Sequence, residues 1–263
     1  MDTHSHIFKG RLEDRRLVTG RGTYTSDRNL PGQLHAAFLR ADRPHARIVR
    51  IDTAAVAAMP GVKLVLTGDD VKAANIGSLP TQLAVNGRDG KPLIKPFRPA
   101  LAQGKVRYVG EPVACVVADS PLQAQDALDA LVIDYEDLPF VTRAEQALAS
   151  GAPQLHDNVP GNRVMDFGQG DEAKTEAVFK TAPRVVRLSI YNNRVIASPM
   201  EPRSVIAAYD TAADRYTIYN VTQGVNNSRG QLCATMGIPE EKVDVVTNTP
   251  FDAPSPTRLP VKA

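Results

Sequence analysis

The sequence predicts an α+β fold built as two units, and three observations carry that prediction. Short alternating or continuous apolar runs read as strands, and segments with helical spacing and capping residues interrupt them. The two kinds of element alternate without the strict rhythm of a doubly wound sheet. Residues 151–163 hold Gly151, Pro153, Pro160 and Gly161 with little periodicity, which marks a linker between a first unit over 20–150 and a second over 164–248. At 263 residues, 43% hydrophobic and 23% charged, the chain is long enough for one large or two medium domains.

Residues 1–19 read as an N-terminal arm, and the turn formers Gly20, Gly22, Asn29, Pro31 and Gly32 extend its irregular, wrapping character. Strands are expected over 34–40, 46–51 and 62–67, the last ending at Gly68-Asp69-Asp70. Asp52-Thr53 offers an N-cap to a short helix over 54–58, stopped by Pro60-Gly61. Residues 75–99 contain Gly77, Pro80, Gly87, Gly90, Pro92, Pro96 and Pro99, so a long ordered loop is expected there, of the kind often used for function or contact. Two apolar segments within 106–118 are broken at Gly110-Glu111-Pro112. Ser120-Pro121 then opens a helix whose Leu122, Ala124, Ala127, Leu128 and Leu131 keep helical spacing. A strand over 131–135 and a capped helix over 142–149 complete the first unit. The second unit reads as a helix over 172–179, strands over 185–191, 204–209 and 215–221, a helix over 225–236 and a strand over 243–247.

Lys plus Arg number 31 against 29 Asp plus Glu, and a net charge of +2 gives no footprint for a nucleic-acid partner. There is no apolar run long enough to span a membrane, and residues 1–9 lack a basic region followed by an apolar one, so a cytoplasmic location is expected. Cys115 and Cys233 are too few and too far apart for a zinc or iron–sulfur framework, and both read as buried thiols.

Few motifs carry chemistry on their own. Asp2-Thr3-His4-Ser5-His6 has the paired histidines that open metal-dependent amidohydrolases, but that pair needs a buried strand to hold it, and here only Met1 precedes the motif. His35, His45 and His156 supply no spacing that completes such a site. Gly20-Arg21-Gly22 has no strand before it and no helix after it, and reads as a turn. Glu111, Glu136 and Glu201 each have acid–base chemistry available, but nothing local distinguishes them from solvated carboxylates.

Several blocks in order resemble a known family. Arg11-Leu12-Glu13-Asp14, Leu17 through Tyr24, Leu30-Pro31-Gly32, Arg43-Pro44-His45-Ala46-Arg47-Ile48, Val106-Arg107-Tyr108-Val109-Gly110-Glu111-Pro112 and Asp134-Tyr135-Glu136-Asp137-Leu138-Pro139 are similar to the α/β hammerhead domain of molybdenum hydroxylase large subunits, the xanthine dehydrogenase and aldehyde oxidase family. Pro199-Met200-Glu201-Pro202-Arg203, Thr222-Gln223-Gly224 and Met236-Gly237-Ile238-Pro239 resemble the start of the family's first molybdopterin-binding domain. The resemblance implies molybdopterin cytosine dinucleotide with molybdenum as cofactor, and partner subunits carrying FAD and [2Fe-2S] clusters. It implies no catalytic residue in this chain and one cofactor-binding residue, Gln223, whose carboxamide donates to an oxygen ligand of the metal without adding charge. The alternative for Gln223 is a strand-end amide capping the next helix. Glu201 and Arg203 match the family without an assigned role, an ion pair bracing the domain being the plain expectation.

After 247 the resemblance stops: where the family continues into a glycine-rich loop, this chain reads Asn248-Thr249-Pro250-Phe251-Asp252-Ala253-Pro254, and 249–263 is a divergent tail. The expectation is a truncated molybdopterin-binding subunit with an incomplete second domain, derived from an enzyme that oxidatively hydroxylates an aldehyde, an N-heterocycle or carbon monoxide, and inactive alone. A non-catalytic binding or assembly module, or the product of an interrupted gene, is the alternative.

Overall fold

The computed structural model describes residues 14–193, 195–196, 198–199 and 201–247. In the first unit a short helix α1 (Asp14–Val18) precedes strands β1 (His35–Arg40) and β2 (Ala46–Asp52), helix α2 (Ala54–Ala57), strand β3 (Val62–Thr67) and helix α3 (Gly68–Ala73). Strands β4 (Lys105–Val106) and β5 (Pro112–Ala118), helix α4 (Pro121–Asp129), strand β6 (Val132–Asp137) and helix α5 (Ala144–Ala147) follow. The second unit holds α6 (Glu172–Thr181), β7 (Val205–Asp210), β8 (Arg215–Asn220), α7 (Val225–Met236) and β9 (Val243–Val246).

The first unit is two antiparallel three-stranded sheets, in the orders β1-β5-β3 and β4-β2-β6. Its centre is β5, whose apolar run is continuous because both faces are covered. Val113 packs with Ala41, Ala46, Ala102 and Val106 beneath the β2–β6 sheet. Val116, on the opposite face, packs with Val56 of α2 and with Ala127 and Leu128 of α4. Cys115 is buried between these layers, and burial holds its thiol above the ordinary range. The α4 start follows from local chemistry: Ser120 Oγ accepts the Gln123 amide at 3.3 Å, and Pro121 occupies a first-turn position where its missing N–H is harmless.

Helix α3 starts at Gly68-Asp69-Asp70, where the sequence predicts only the end of a strand. Asp70 Oδ2 accepts both the amide and the hydroxyl of Thr67 at 2.7 Å, closing a capping box that starts a helix where three turn-forming residues suggest a break. These bonds hold the Asp70 carboxyl below its ordinary value. Gly68 is required there, since a Cβ would lie 1.9 Å from the Ala102 carbonyl oxygen.

Residues 75–99 contain no helix and one isolated bridge, Asn86 to Pro92, yet the loop is fastened along its length. The amides of Arg88 and Ile94 donate to Asp166 and Val164 at 2.8 and 3.0 Å, and that of Gly77 to Thr235 of α7 at 2.7 Å. Residues 151–163 are similarly tied down: Asn162 Nδ2 donates to the Ala147 and Pro153 carbonyls, and Val159 is buried.

In the second unit β7 and β8 are antiparallel, β8 and β9 are parallel, and α7 crosses between the parallel pair. The strand expected over 185–191 is absent: these residues lie in no helix or strand. A strand exists only when another backbone pairs with it, and no described backbone does so here. The helix expected over 142–149 is confined to Ala144–Ala147.

Two measurements test this account of the first unit. Leu128→Ala, in the layer under α4, is expected to cost about 2–5 kcal/mol by urea unfolding, whereas Leu122→Ala on the exposed face of α4 changes stability by roughly 0.5 kcal/mol or less. Equal effects would show that α4 is not packed as described. Burial pushes the Glu111 carboxyl above its ordinary value, outweighing the Arg107 amide, which donates to it at 2.6 Å, and the Arg107 charge. Folding therefore takes up a proton at this site: its stabilising contribution is present below the unfolded-state value of about 4.3 and is lost as pH rises through the raised folded value. Glu111→Gln is expected to flatten that part of the stability–pH profile, and parallel profiles for the two proteins would refute it.

Candidate functional site

A parallel strand pair needs a crossover, and here the crossover is α7. Leaving the carboxyl end of β8, the chain turns through residues 221–224 and enters α7, whose amino end therefore sits at the edge where β8 and β9 both finish. Ligands of βαβ units gather at such an edge, because helix N–H groups without intrahelical partners point there.

The turn is held by hydroxyls. Thr222 Oγ1 lies 2.6 Å from Ser228 Oγ and accepts the Gly224 amide at 3.2 Å, which ties the turn to the first turn of α7. No acidic residue lies in the first turn of α7, leaving the positive end of the helix without a neighbouring carboxylate from its own turn. Gly237, at φ 66°, ends the helix in the left-handed conformation that glycine adopts without strain.

Gln223 lies in this turn, exposed, between the end of β8 and the start of α7. Its carboxamide bonds to no described residue and so does not cap α7. A Thr two residues before a helix-entering glycine, with Ser six residues further on, was the readable sign of this hydroxyl pair.

Glu201 is placed differently from expectation. It is buried, and its Oε1 accepts the backbone N–H of Thr25 at 2.9 Å, while Arg203 is exposed and forms no ion pair with it. The carboxylate therefore braces the opening segment against the second unit. Beside it the Arg28 guanidinium lies over the Tyr219 ring of β8, 4.3 Å from the centroid. With the Gly77 to Thr235 bond, these contacts fix the turn's flanking elements, β8 and α7, relative to the first unit.

The other candidates stay apart. Glu111 is enclosed in the first unit, and Glu136 on β6 forms an exposed pair with Arg47 at 3.2 Å. His45 is buried with Nδ1 2.8 Å from the Pro139 carbonyl, which makes that nitrogen the donor. His35 lies on β1, and His156 is held below the ordinary imidazole value by burial, with the Arg107 charge adding to it. Among the described residues no group of three His, Cys, Asp or Glu side chains is arranged to hold a metal. Nor is any described helix long and apolar enough to cross a membrane. The His4–His6 motif and the sequence following Thr247 lie outside the described residues.

Comparison with known proteins gives this architecture its context. Residues 19–139 match the family model described as aldehyde oxidase and xanthine dehydrogenase, a/b hammerhead domain, and residues 155–249 match a molybdopterin cofactor-binding domain. The chain is 37% identical over 240 residues to the nicotine 6-hydroxylase large subunit of Paenarthrobacter nicotinovorans, covering 90% of this chain and 28% of that protein. It is 34% identical over 247 residues to the carbon monoxide dehydrogenase large chain of Hydrogenophaga pseudoflava, covering 89% of this chain and 29% of the relative. The crystal structure of quinoline 2-oxidoreductase from Pseudomonas putida superposes with a TM-score of 0.80 at 37% identity, over 90% of this chain and 29% of that one. The chain thus spans under a third of each of these relatives, and with both successive domains matched and the fold superposed, it belongs to the xanthine dehydrogenase and aldehyde oxidase family of molybdenum hydroxylase large subunits.

Proposed function

We propose that this chain forms the amino-terminal, cofactor-facing part of a molybdenum hydroxylase large subunit. The observation that carries the reading is the position of Gln223: an exposed carboxamide, at the carboxyl edge of a parallel strand pair and the amino end of α7, with no described partner of its own. The donor set fits the periphery of an oxygen-bearing metal cofactor. It offers a neutral N–H donor and the positive end of a helix, with no carboxylate in that turn to repel electron-rich oxygen ligands.

When bound, molybdopterin cytosine dinucleotide with molybdenum supplies the redox chemistry. Gln223 would donate an N–H to an oxygen ligand of the metal, and the Thr222–Ser228 pair holds the turn that carries it. No residue of this chain serves as a general base. The substrate is an aldehyde, an N-heterocycle or carbon monoxide, and electrons leave through partner subunits carrying [2Fe-2S] clusters and FAD. Groups from elsewhere in the complete subunit complete the site, and this chain alone is inactive.

Purified by itself, the chain is expected to contain no stoichiometric molybdenum by elemental analysis and to show no dye-linked aldehyde oxidation; stoichiometric molybdenum would overturn the inactivity. Substituted for the matched region of the nicotine 6-hydroxylase large subunit and produced with that enzyme's other subunits, it is expected to load molybdenum. In that background Gln223→Ala should lower turnover by about 10–100-fold at equal molybdenum content, the usual size for a group that orients a metal's ligands. Unchanged turnover at equal loading would remove Gln223 from the site.

A further inference from the structure

Residues 185–191 read Val185-Val186-Arg187-Leu188-Ser189-Ile190-Tyr191, and positions 186 to 190 alternate strictly between apolar and polar side chains. That period is the signature of a strand with one buried face. In the structure they belong to no strand, and Val186, Leu188, Ile190 and Tyr191 are 92%, 81%, 80% and 89% exposed. Their backbone groups bond to no described residue. An apolar stripe and backbone donors and acceptors with no partner among the described residues thus coincide on one segment, which describes a strand without its sheet.

We infer that residues 185–191 form a strand that is added to a sheet supplied by the remainder of a large-subunit polypeptide, the part lying outside the region this chain matches. The inference rests on family membership and not on the role of Gln223. Two observations select that occupant. The matched relatives are more than three times longer than the segment this chain covers, so the family's fold contains ample further backbone. The segment with its preceding residue carries Arg184 and Arg187 and no acid, so pairing with a second copy of itself brings like charges together, whereas a strand with acidic residues on its polar face is complementary. In this mode the ladder hydrogen bonds supply affinity. The pocketing of Val186, Leu188 and Ile190 supplies register, because a one-residue slip would turn all three to the wrong face.

The test co-expresses the full chain with the complementary part of the nicotine 6-hydroxylase large subunit, and reads hydrogen exchange by mass spectrometry across 185–191 together with binding by sedimentation. The same chain fused into that subunit as a single polypeptide guards against weak association in trans. In at least the fused protein, amides of 187–191 are expected to exchange more slowly than in the isolated chain by on the order of 100-fold or more. Leu188→Asp with Ile190→Asp should abolish that protection, while Arg187→Gln, on the polar face, should leave it. Fast exchange at 187–191 in the folded fusion would overturn the proposal, as would protection in the isolated chain that rises with its concentration and so reports self-pairing. Neither readout depends on cofactor loading or turnover, so a failure here leaves the Gln223 reading standing, and the reverse.

Discussion

Two parallel strands cannot be joined by a tight turn, and the second unit is organised by that constraint. Once β8 and β9 are parallel, the connection must travel back along the sheet, α7 is the means, and its amino end is delivered to the edge where both strands finish. Arg215 reinforces the pairing by reaching Asp244 with two contacts at 2.9 and 3.0 Å and the Glu241 carbonyl at 2.8 Å. Both side chains are more than a third exposed, so this pair contributes on the order of 1 kcal/mol or less. Burial of Val243 and Cys233 between helix and sheet is the larger effect. The strand ladder sets register, and the apolar contact holds the helix down.

The opening segment has a second organising role. Glu201 is separated from Thr25 by 176 positions, yet its Oε1 accepts the Thr25 amide in a buried setting, which ties the opening segment to the second unit. Arg28 stacked over Tyr219 adds about 0.5–1 kcal/mol, and it presses on the same strand, β8, that leads into the Gln223 turn. The residues between α1 and β1 therefore do more than cover a surface. They connect the hammerhead to the strand from which the candidate site is built.

Much of the first unit was legible because its signals are local. Ser120-Pro121 states a helix start through its own hydroxyl and ring, and the continuous apolar run of β5 states burial on two faces. Gly68-Asp69-Asp70 misleads for an equally local reason: the residues that favour a turn also build a capping box, and only the bond from Thr67 to Asp70 decides between them. Glu201 was unreadable because its partner is a backbone amide far away in sequence. Gln223 has no local signature at all; it came from resemblance, and the structure adds only where the residue lies, in the turn that leads from β8 into α7.

The two units differ in how far their elements satisfy one another. In the first, β5 is paired on both edges and packed on both faces. In the second, α6 buries none of its residues, and Val178 and Phe179 are 65% and 55% exposed. Propensity, the Asp171 cap and a Lys174 contact suffice to write a ten-residue helix there, but most helical stability in water comes from packing an apolar face. Helix α6 and the alternating segment that follows it present apolar side chains in succession along one stretch of chain, far more than the scattered exposed residues any surface carries. Local sequence writes the helix α6 through its cap and propensity, but among the described residues nothing packs on its apolar side chains, and the alternating segment after it takes up no strand.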